Sequence, residues 1–187
     1  MLGQAEAVIS RPQVRSIPLR LFLAVLSLTV AGCSKRPDPT QRFASRYKVA
    51  MVSWNREVQS VASTFDARIA PIPRSGRRAF LIQELRNAAE MNRRAVASLD
   101  ALGPPPAPVK DLIAASREML DFLAESSRKK ADATERRDRA AMSQLDAEFD
   151  SEMARLGARL VETRNAAARQ IGIEELKDVD FFAGATP

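Results

Sequence analysis

Four long segments of this chain place apolar residues at every third or fourth position, the spacing of one face of an α-helix. In segment 41–69 this stripe comprises Phe43, Tyr47, Ala50, Trp54, Val58, Val61 and Phe65. In segment 76–102 it comprises Leu81, Leu85, Ala88, Asn92, Ala95, Leu99 and Leu102. Segments 109–133 and 138–171 continue the pattern, the last with Met142, Leu145, Phe149, Met153, Leu156 and Leu160. Each helix must bury its stripe against the others, so the pattern predicts an all-α fold.

Short connectors separate the four segments. Pro71 and Pro73 end the first helix, Ser75 or Gly76 is expected to cap the second, and the proline-rich run 103–108 separates the second from the third. Gly103 and Gly172 are expected to close the second and fourth helices. Short connectors place consecutive helices side by side, which predicts an antiparallel up-down-up-down four-helix bundle spanning 41–173.

The third connection is the least defined, because residues 126–139 contain neither glycine nor proline. We interpret it as a turn near 133–138, with Thr134 or Asp138 capping the fourth helix. The alternative is one continuous helix from Val109 to Ile171, roughly 95 Å long.

Composition excludes several kinds of site. The 187 residues include no histidine and a single cysteine, Cys33. A His-based catalytic triad, a His metal site, a c-type haem motif and an internal disulfide are therefore ruled out. The carboxylate pairs Asp146–Asp150 and Glu148–Glu152 lie beside arginines on an exposed helical face. We therefore predict no cofactor and no enzymatic activity.

The N-terminal residues have the three parts of a secretory signal. Arg15 and Arg20 form a basic head, residues 21–32 are apolar, and small residues lead to Cys33. An apolar run of about a dozen residues is too short to span a bilayer comfortably, since a spanning helix needs roughly 20.

The motif Val30-Ala31-Gly32-Cys33 resembles the lipobox of bacterial lipoproteins, although that family favours leucine where this chain has Val30. The resemblance implies cleavage of residues 1–32 as a signal peptide, a diacylglycerol on the Cys33 thiol and attachment to the bacterial cell envelope. Ser34 in place of aspartate implies, for a Gram-negative cell, sorting to the outer membrane, facing the periplasm. The alternative is an uncleaved apolar helix with an incidental cysteine. Residues 1–14 fit no part of the signal, which suggests a misplaced start codon.

Residues 33–40 are expected to form a basic tether. Its two alternative roles are contact with anionic headgroups and a plain spacer. The tail 174–187 is acidic and carries Phe181-Phe182, which would either dock on the bundle or remain loose.

The predicted topology gathers positive charge at one end of the bundle. From Arg68 to Arg78 there are four basic residues and no acid, and from Arg128 to Arg139 six basic residues against three acids. Both runs flank turns at the end opposite the tether. We predict that this basic tip, in a non-catalytic interaction module, binds an acidic envelope protein or a polyanion. Its candidate residues are Arg74, Arg77, Arg78, Arg128, Lys129, Lys130, Arg136 and Arg137. Nucleic acid is not expected, because the protein is exported and no aromatic residues interleave with the basic runs.

An alternative function is the sensing or carriage of a small molecule inside the bundle. The candidate lining residues are Tyr47, Trp54, Met91 and Asn92. Aromatic residues on a helical stripe more often belong to the core, where their polar atoms find a partner. Asn92 would then fix the register between helices.

Replacing Cys33 with alanine is expected to release a soluble, folded protein, because the lipid on that thiol is the predicted membrane attachment. Fractionation of cells into membrane and soluble protein measures the effect. Ser34→Ala keeps the thiol and is the control. A Cys33→Ala protein that remains with the membranes would contradict the lipoprotein prediction.

Overall fold

Residues 38–172 are described by a computed structural model. They form α1 (Pro39–Ile69), α2 (Arg74–Asp100), a 3₁₀ turn (Ala107–Val109), α3 (Lys110–Arg136) and α4 (Arg139–Ile171). No strand occurs in this part of the chain, and the all-α four-helix bundle is confirmed. The signal peptide, Cys33 and the tail 174–187 lie outside the described residues.

Pairs of side chains in contact show that α1 and α2 run antiparallel. Near the middle of α1, Trp54 Nε1 donates a hydrogen bond of 2.9 Å to Asn92 Oδ1 of α2. Towards the end of α1, the ring of Phe65 lies 5.8 Å from that of Phe80, near the start of α2. The residue numbers of the contacting side chains therefore increase along α1 as they decrease along α2.

The same relation holds between α3 and α4. The ring centroids of Phe122 and Phe149 lie 5.9 Å apart. Further along α3, Lys130 Nζ lies 2.8 Å from Asp146 Oδ1, which is earlier in α4. Between α2 and α3, Arg86 pairs with Glu135 and Asp100 with Arg117. Consecutive helices are thus antiparallel neighbours, as the short connectors predict.

The helix boundaries differ from the predicted ones by a few residues. Asp38 caps α1 by accepting a 3.2 Å hydrogen bond from the Thr40 amide, so α1 begins at Pro39 rather than at Gln41. Proline is favoured in the first helical turn because its missing N–H would have no helical partner there. The other end of α1, at Ile69, precedes Pro71 as expected.

The start of α2 corrects the predicted cap. The helix begins at Arg74 with Pro73 in the cap position, and it has no side-chain cap. Ser75 and Gly76 therefore lie inside the first turn. Its C-cap is Ala101, so Gly103, with a φ of +84°, follows the cap by two residues and does not close the helix itself.

The connection between α3 and α4 is a tight turn, so the continuous-helix alternative is wrong. Arg137 has a φ of 59°, in the left-handed region, and ends α3. Asp138 then caps α4, its side chain accepting a 3.0 Å hydrogen bond from the Ala141 amide. Thr134, the other candidate cap, instead donates to the Lys130 carbonyl within α3. Gly172 is the left-handed C-cap of α4.

The bulky part of the core lies at the end of the bundle where α1 begins. The largest fully buried side chains are Tyr47, Met51, Leu112, Met119, Leu120, Leu156, Leu160 and Val109. Towards the other end, buried positions of α2 and α3 are mainly alanines: Ala89, Ala124, Ala131 and Ala133. Two predicted stripe residues of this region are exposed, Val61 at 39% and Leu81 at 36%. Helical spacing identifies a face but does not show how deeply each position is covered.

None of the helices between residues 38 and 172 combines the length and the apolar character needed to cross a membrane.

The same substitution at two leucines is expected to have different effects. Leu120 is completely buried, so Leu120→Ala should lower the free energy of unfolding by about 2–5 kcal/mol through lost burial and a cavity. Leu81→Ala, at a partly exposed site, should cost less than about 1 kcal/mol. Urea denaturation of both variants measures the difference. Equal losses would contradict the placement of the core.

Candidate functional site

The described residues form an open pocket of about 740 Å³ at the end of the bundle that holds the α1–α2 and α3–α4 turns. We call it the tip pocket. Its walls come from the start of α2, the end of α3, the α3–α4 turn and the start of α4. The lining residues are Arg74, Ser75, Arg78, Ala133, Thr134, Arg137, Asp138, Arg139, Met142, Ser143 and Asp146.

Two helices begin at the tip pocket. Arg74 and Ser75 belong to the first turn of α2, and Arg139 is the first residue of α4. The free N–H groups of a helix N-terminus carry partial positive charge and favour anions. Because α2 lacks a side-chain cap, no capping side chain competes for its first N–H groups.

Four arginines add full charges to the pocket: Arg74, Arg78, Arg137 and Arg139. All four are exposed, and none forms an ion pair with another residue of the range 38–172. The two acids of the pocket already have partners. Asp138 caps α4, and Asp146 is paired with Lys130. The pocket is therefore positively charged and suited to an anion.

The structure places three of the eight predicted tip residues at the tip pocket: Arg74, Arg78 and Arg137. Arg77 is beside it and donates to the Ile72 carbonyl at 3.3 Å. Arg139 also lines the pocket, although it was not among the predicted residues. Its position directly after the candidate cap Asp138 is the sequence signal by which Arg139 could have been identified.

The other predicted tip residues lie along the side of α3. Arg128 pairs with Glu125 at 2.7 Å and with Asp132 at 3.3 Å. The Arg128 guanidinium lowers the pKa of Glu125, while hydrogen bonding to Glu125 raises the pKa of Arg128. Lys130 lies 4.3 Å above the Phe149 ring in addition to its pairing with Asp146.

Lys129 and Arg136 border a separate depression that also includes Asp132 and Glu148. Carboxylates therefore accompany all four of these cations.

A second, larger opening runs along the side of the bundle between α1 and α4. We call this opening, of about 1220 Å³, the apolar groove. Its α1 wall includes Trp54, Val58 and Ala62, and α2 and α3 contribute to its floor. The remaining lining residues are Asn55, Gln59, Ala88, Met91, Asn92, Leu123, Ser127, Phe149, Asp150, Met153, Ala154, Gly157, Ala158, Val161 and Glu162.

Three of the four predicted ligand-lining residues border the apolar groove: Trp54, Met91 and Asn92. Trp54 and Asn92 are both nearly buried, and the hydrogen bond between them joins α1 to α2. Asn92 thus links two helices at one register and also contributes to the groove. A small-molecule carrier would use this groove.

Tyr47 lines neither opening. Its side chain is 1% exposed, and its hydroxyl lies 2.8 Å from Ser116 Oγ. Because Ser116 donates its own proton to the Leu112 carbonyl at 2.8 Å, Tyr47 is the donor to Ser116. Burial disfavours the phenolate and raises the pKa of Tyr47 well above its usual range. Tyr47 is a core residue whose polar atom is satisfied.

One member of each carboxylate pair on α4 forms an ion pair: Asp146 with Lys130, and Glu152 with Arg155 at 2.8 Å. In the described part of the chain, no three His, Cys, Asp or Glu side chains group together to hold a metal ion. No protein-family model matches the chain, and no curated protein or solved structure is significantly similar to it. The function is therefore inferred from the geometry of the tip pocket and the apolar groove.

Tyr47→Phe is expected to change how stability depends on pH. The unfolded protein loses the Tyr47 proton above pH 10 or so, whereas the raised pKa keeps the folded protein protonated. The Tyr47 phenol therefore makes its full contribution to the free energy of unfolding below about pH 10. Above that pH the contribution declines, by up to about 1.4 kcal/mol per pH unit. The phenylalanine variant should be about 1 kcal/mol less stable than wild type at pH 8, through one lost hydrogen bond.

Urea unfolding at pH 8 and pH 11 measures this gap, which should close or reverse at the higher pH. Ser116→Ala retains the phenol and is the control that should keep the wild-type pH dependence. A gap that stays constant from pH 8 to pH 11 would contradict the burial of the tyrosine.

Proposed function

We propose that this protein is a lipid-anchored, extracytoplasmic interaction module that binds an anionic group of an envelope partner in its tip pocket. The partner is an acidic protein or a polyanion, and the role is non-catalytic. The observation that carries the proposal is the convergence of four arginines with the uncapped N-terminus of α2. These arginines are Arg74, Arg78, Arg137 and Arg139.

The composition of the tip pocket suits carboxylate or phosphate. Arginine presents a planar fork of donors that can bind either group with two hydrogen bonds. N–H groups at the uncapped start of α2 can add further donors to the same anion, whereas Asp138 already caps α4. Because Asp138 and Asp146 are already engaged, an incoming anion does not have to displace an existing arginine partner.

The backbone at Arg137 supports a functional role for this side chain. A left-handed residue at a helix C-terminus is usually glycine, because a side chain there costs about 1 kcal/mol or more. Arg137 occupies that conformation, with a φ of 59°, and lines the pocket. Arginine at this position therefore lowers stability and places a charge at the tip, where an anion could use it.

The proposed anchor would hold the bundle by the end away from the tip pocket. Cys33 precedes the first residue of α1, Pro39, by six positions. A lipid on Cys33 would therefore tether the start of α1. Since α1 has 31 residues and extends for roughly 45 Å, the turn that follows it would face away from the membrane. In a Gram-negative cell that side would be the periplasm.

Two sets of tip variants test the proposal with tripolyphosphate and poly-L-glutamate as anionic probes in isothermal titration calorimetry. Arg78→Gln combined with Arg139→Gln should weaken binding by about tenfold or more, because each arginine supplies a charged hydrogen bond. Arg56→Gln combined with Arg93→Gln removes the same charge from exposed sites elsewhere and is the matched control. Equal weakening by both pairs would indicate attraction by net charge alone and would contradict a site.

Arg137→Gly separates binding from folding in the same experiment. Glycine relieves the left-handed backbone, so the free energy of unfolding should stay unchanged or rise by up to about 1 kcal/mol. Binding of the probes should nevertheless weaken. A glycine variant that binds as well as wild type would remove Arg137 from the site, and loss of both properties would indicate a structural role.

A further inference from the structure

We propose that the anion bound in the tip pocket is a diphosphate group, that is, two phosphoryl groups joined through one oxygen. This inference rests on the proposed function, because it names the chemical class of the anion that the same pocket binds. It is carried by three features of the lining: its net charge, the distribution of its arginines over two walls, and the neutral donors beside them.

The net charge of the tip pocket exceeds what a single carboxylate can neutralise. With Lys130, which pairs with Asp146, the four arginines make five cations against the two acids Asp138 and Asp146, a net charge of +3. A carboxylate brings one negative charge. A diphosphate ester brings about −3, because its terminal phosphoryl group is close to doubly charged and its inner one carries a further charge. The pocket and a diphosphate are therefore matched in charge.

The arginines of the tip pocket come from two walls. Arg74 and Arg78 lie one helical turn apart on α2, and Arg137 and Arg139 stand on either side of Asp138 at the α3–α4 turn. The acceptor sites of a carboxylate lie close to one plane, whereas the oxygens of a phosphoryl group point in three directions. A phosphoryl group can therefore accept hydrogen bonds from both walls at once, while a carboxylate favours one wall.

Neutral donors also line the tip pocket. Ser75 lies in the first turn of α2 and Ser143 near the start of α4. Within the range 38–172, neither hydroxyl is engaged in a hydrogen bond. The volume of about 740 Å³ leaves room for two phosphoryl groups side by side, each with its own donors. Hydroxyl donors of this kind add hydrogen bonds without adding charge.

The diphosphate would reach the tip pocket either as a soluble molecule or at the end of a lipid. Two apolar side chains, Ala133 and Met142, line the pocket together with the arginines. The first carbon atoms of a prenyl diphosphate would contact them and lose exposure to water. The group recognised by the arginines is the same for both sources.

Isothermal titration calorimetry at about 0.15 M salt, where long-range attraction is screened, tests the anion class. Pyrophosphate should bind at least about tenfold more tightly than citrate, whose three carboxylates carry a comparable charge. Citrate binding as tight as that of pyrophosphate would overturn the diphosphate inference and leave the proposed anion binding intact. If pyrophosphate, citrate and poly-L-glutamate all fail to bind, the proposed function is wrong as well.

The same titration with geranyl diphosphate separates the two sources. Tighter binding than that of pyrophosphate would assign the diphosphate to a lipid whose chain contacts Ala133 and Met142. Equal or weaker binding would assign it to a soluble molecule. Either result supports a diphosphate site.

A variant that preserves charge tests recognition by both walls. Arg78→Lys with Arg139→Lys keeps the positive charges but removes one planar fork of donors from each wall. Pyrophosphate binding should weaken by about tenfold or more, whereas citrate binding should change little. Arg56→Lys with Arg93→Lys, at exposed positions outside the pocket, is the matched control, and far-UV circular dichroism checks that the helices are retained. Unchanged pyrophosphate affinity in the Arg78/Arg139 variant would indicate attraction by charge alone and would overturn the inference.

Discussion

The tight packing of large side chains at one end of the bundle is the constraint on which the remaining structure depends. Tyr47, Met119, Leu120 and Leu160 are all fully buried there. The hydrogen bonds from Tyr47 to Ser116 and from Ser116 to Leu112 satisfy the polar groups that this packing encloses. A buried hydroxyl without a hydrogen-bond partner would cost about 1–3 kcal/mol. The hydrogen bond between Tyr47 and Ser116 avoids this cost and so makes burial of a tyrosine at this position favourable.

Away from this end the helices are held together differently. Alanines at buried positions of α2 and α3 allow the two backbones to approach, whereas ion pairs link α3 to α4 along their exposed edges. Lys130 of α3, for example, pairs with Asp146 of α4 at 2.8 Å. Exposed pairs of this kind contribute little stability, typically about 0–1 kcal/mol each. The bundle can therefore be loosely covered in this half without losing its fold, which leaves both the tip pocket and the apolar groove open.

The two openings differ in chemistry and thus in the partners that they suit. The tip pocket gathers four arginines and the uncapped N-terminus of α2, and its attraction for anions would weaken as salt increases. The apolar groove is bordered mainly by alanine, valine, methionine and aromatic side chains. Its affinity for a ligand would depend on how much apolar surface the ligand buries rather than on charge. No residue lines both openings, so an anionic partner at the tip would leave the apolar groove accessible.

Much of this architecture follows from the sequence. Apolar spacing, the prolines at 71 and 73, the proline-rich run 103–108 and the short connectors specify the four helices and their antiparallel order, because both are set by local periodicity and connector length. Lipidation at Cys33 likewise remains a prediction from sequence, as that residue lies outside the described part.

Tertiary structure decided which stripe residues are covered: Val61 and Leu81 share the spacing of buried residues but lack neighbours above them. It also decided which arginines meet, since Arg74, Arg78, Arg137 and Arg139 come from distant segments while Arg128 finds acids on its own helix. Helical periodicity repeats along one segment, whereas burial and the convergence of charge depend on the distances between segments, which are established only when the helices pack.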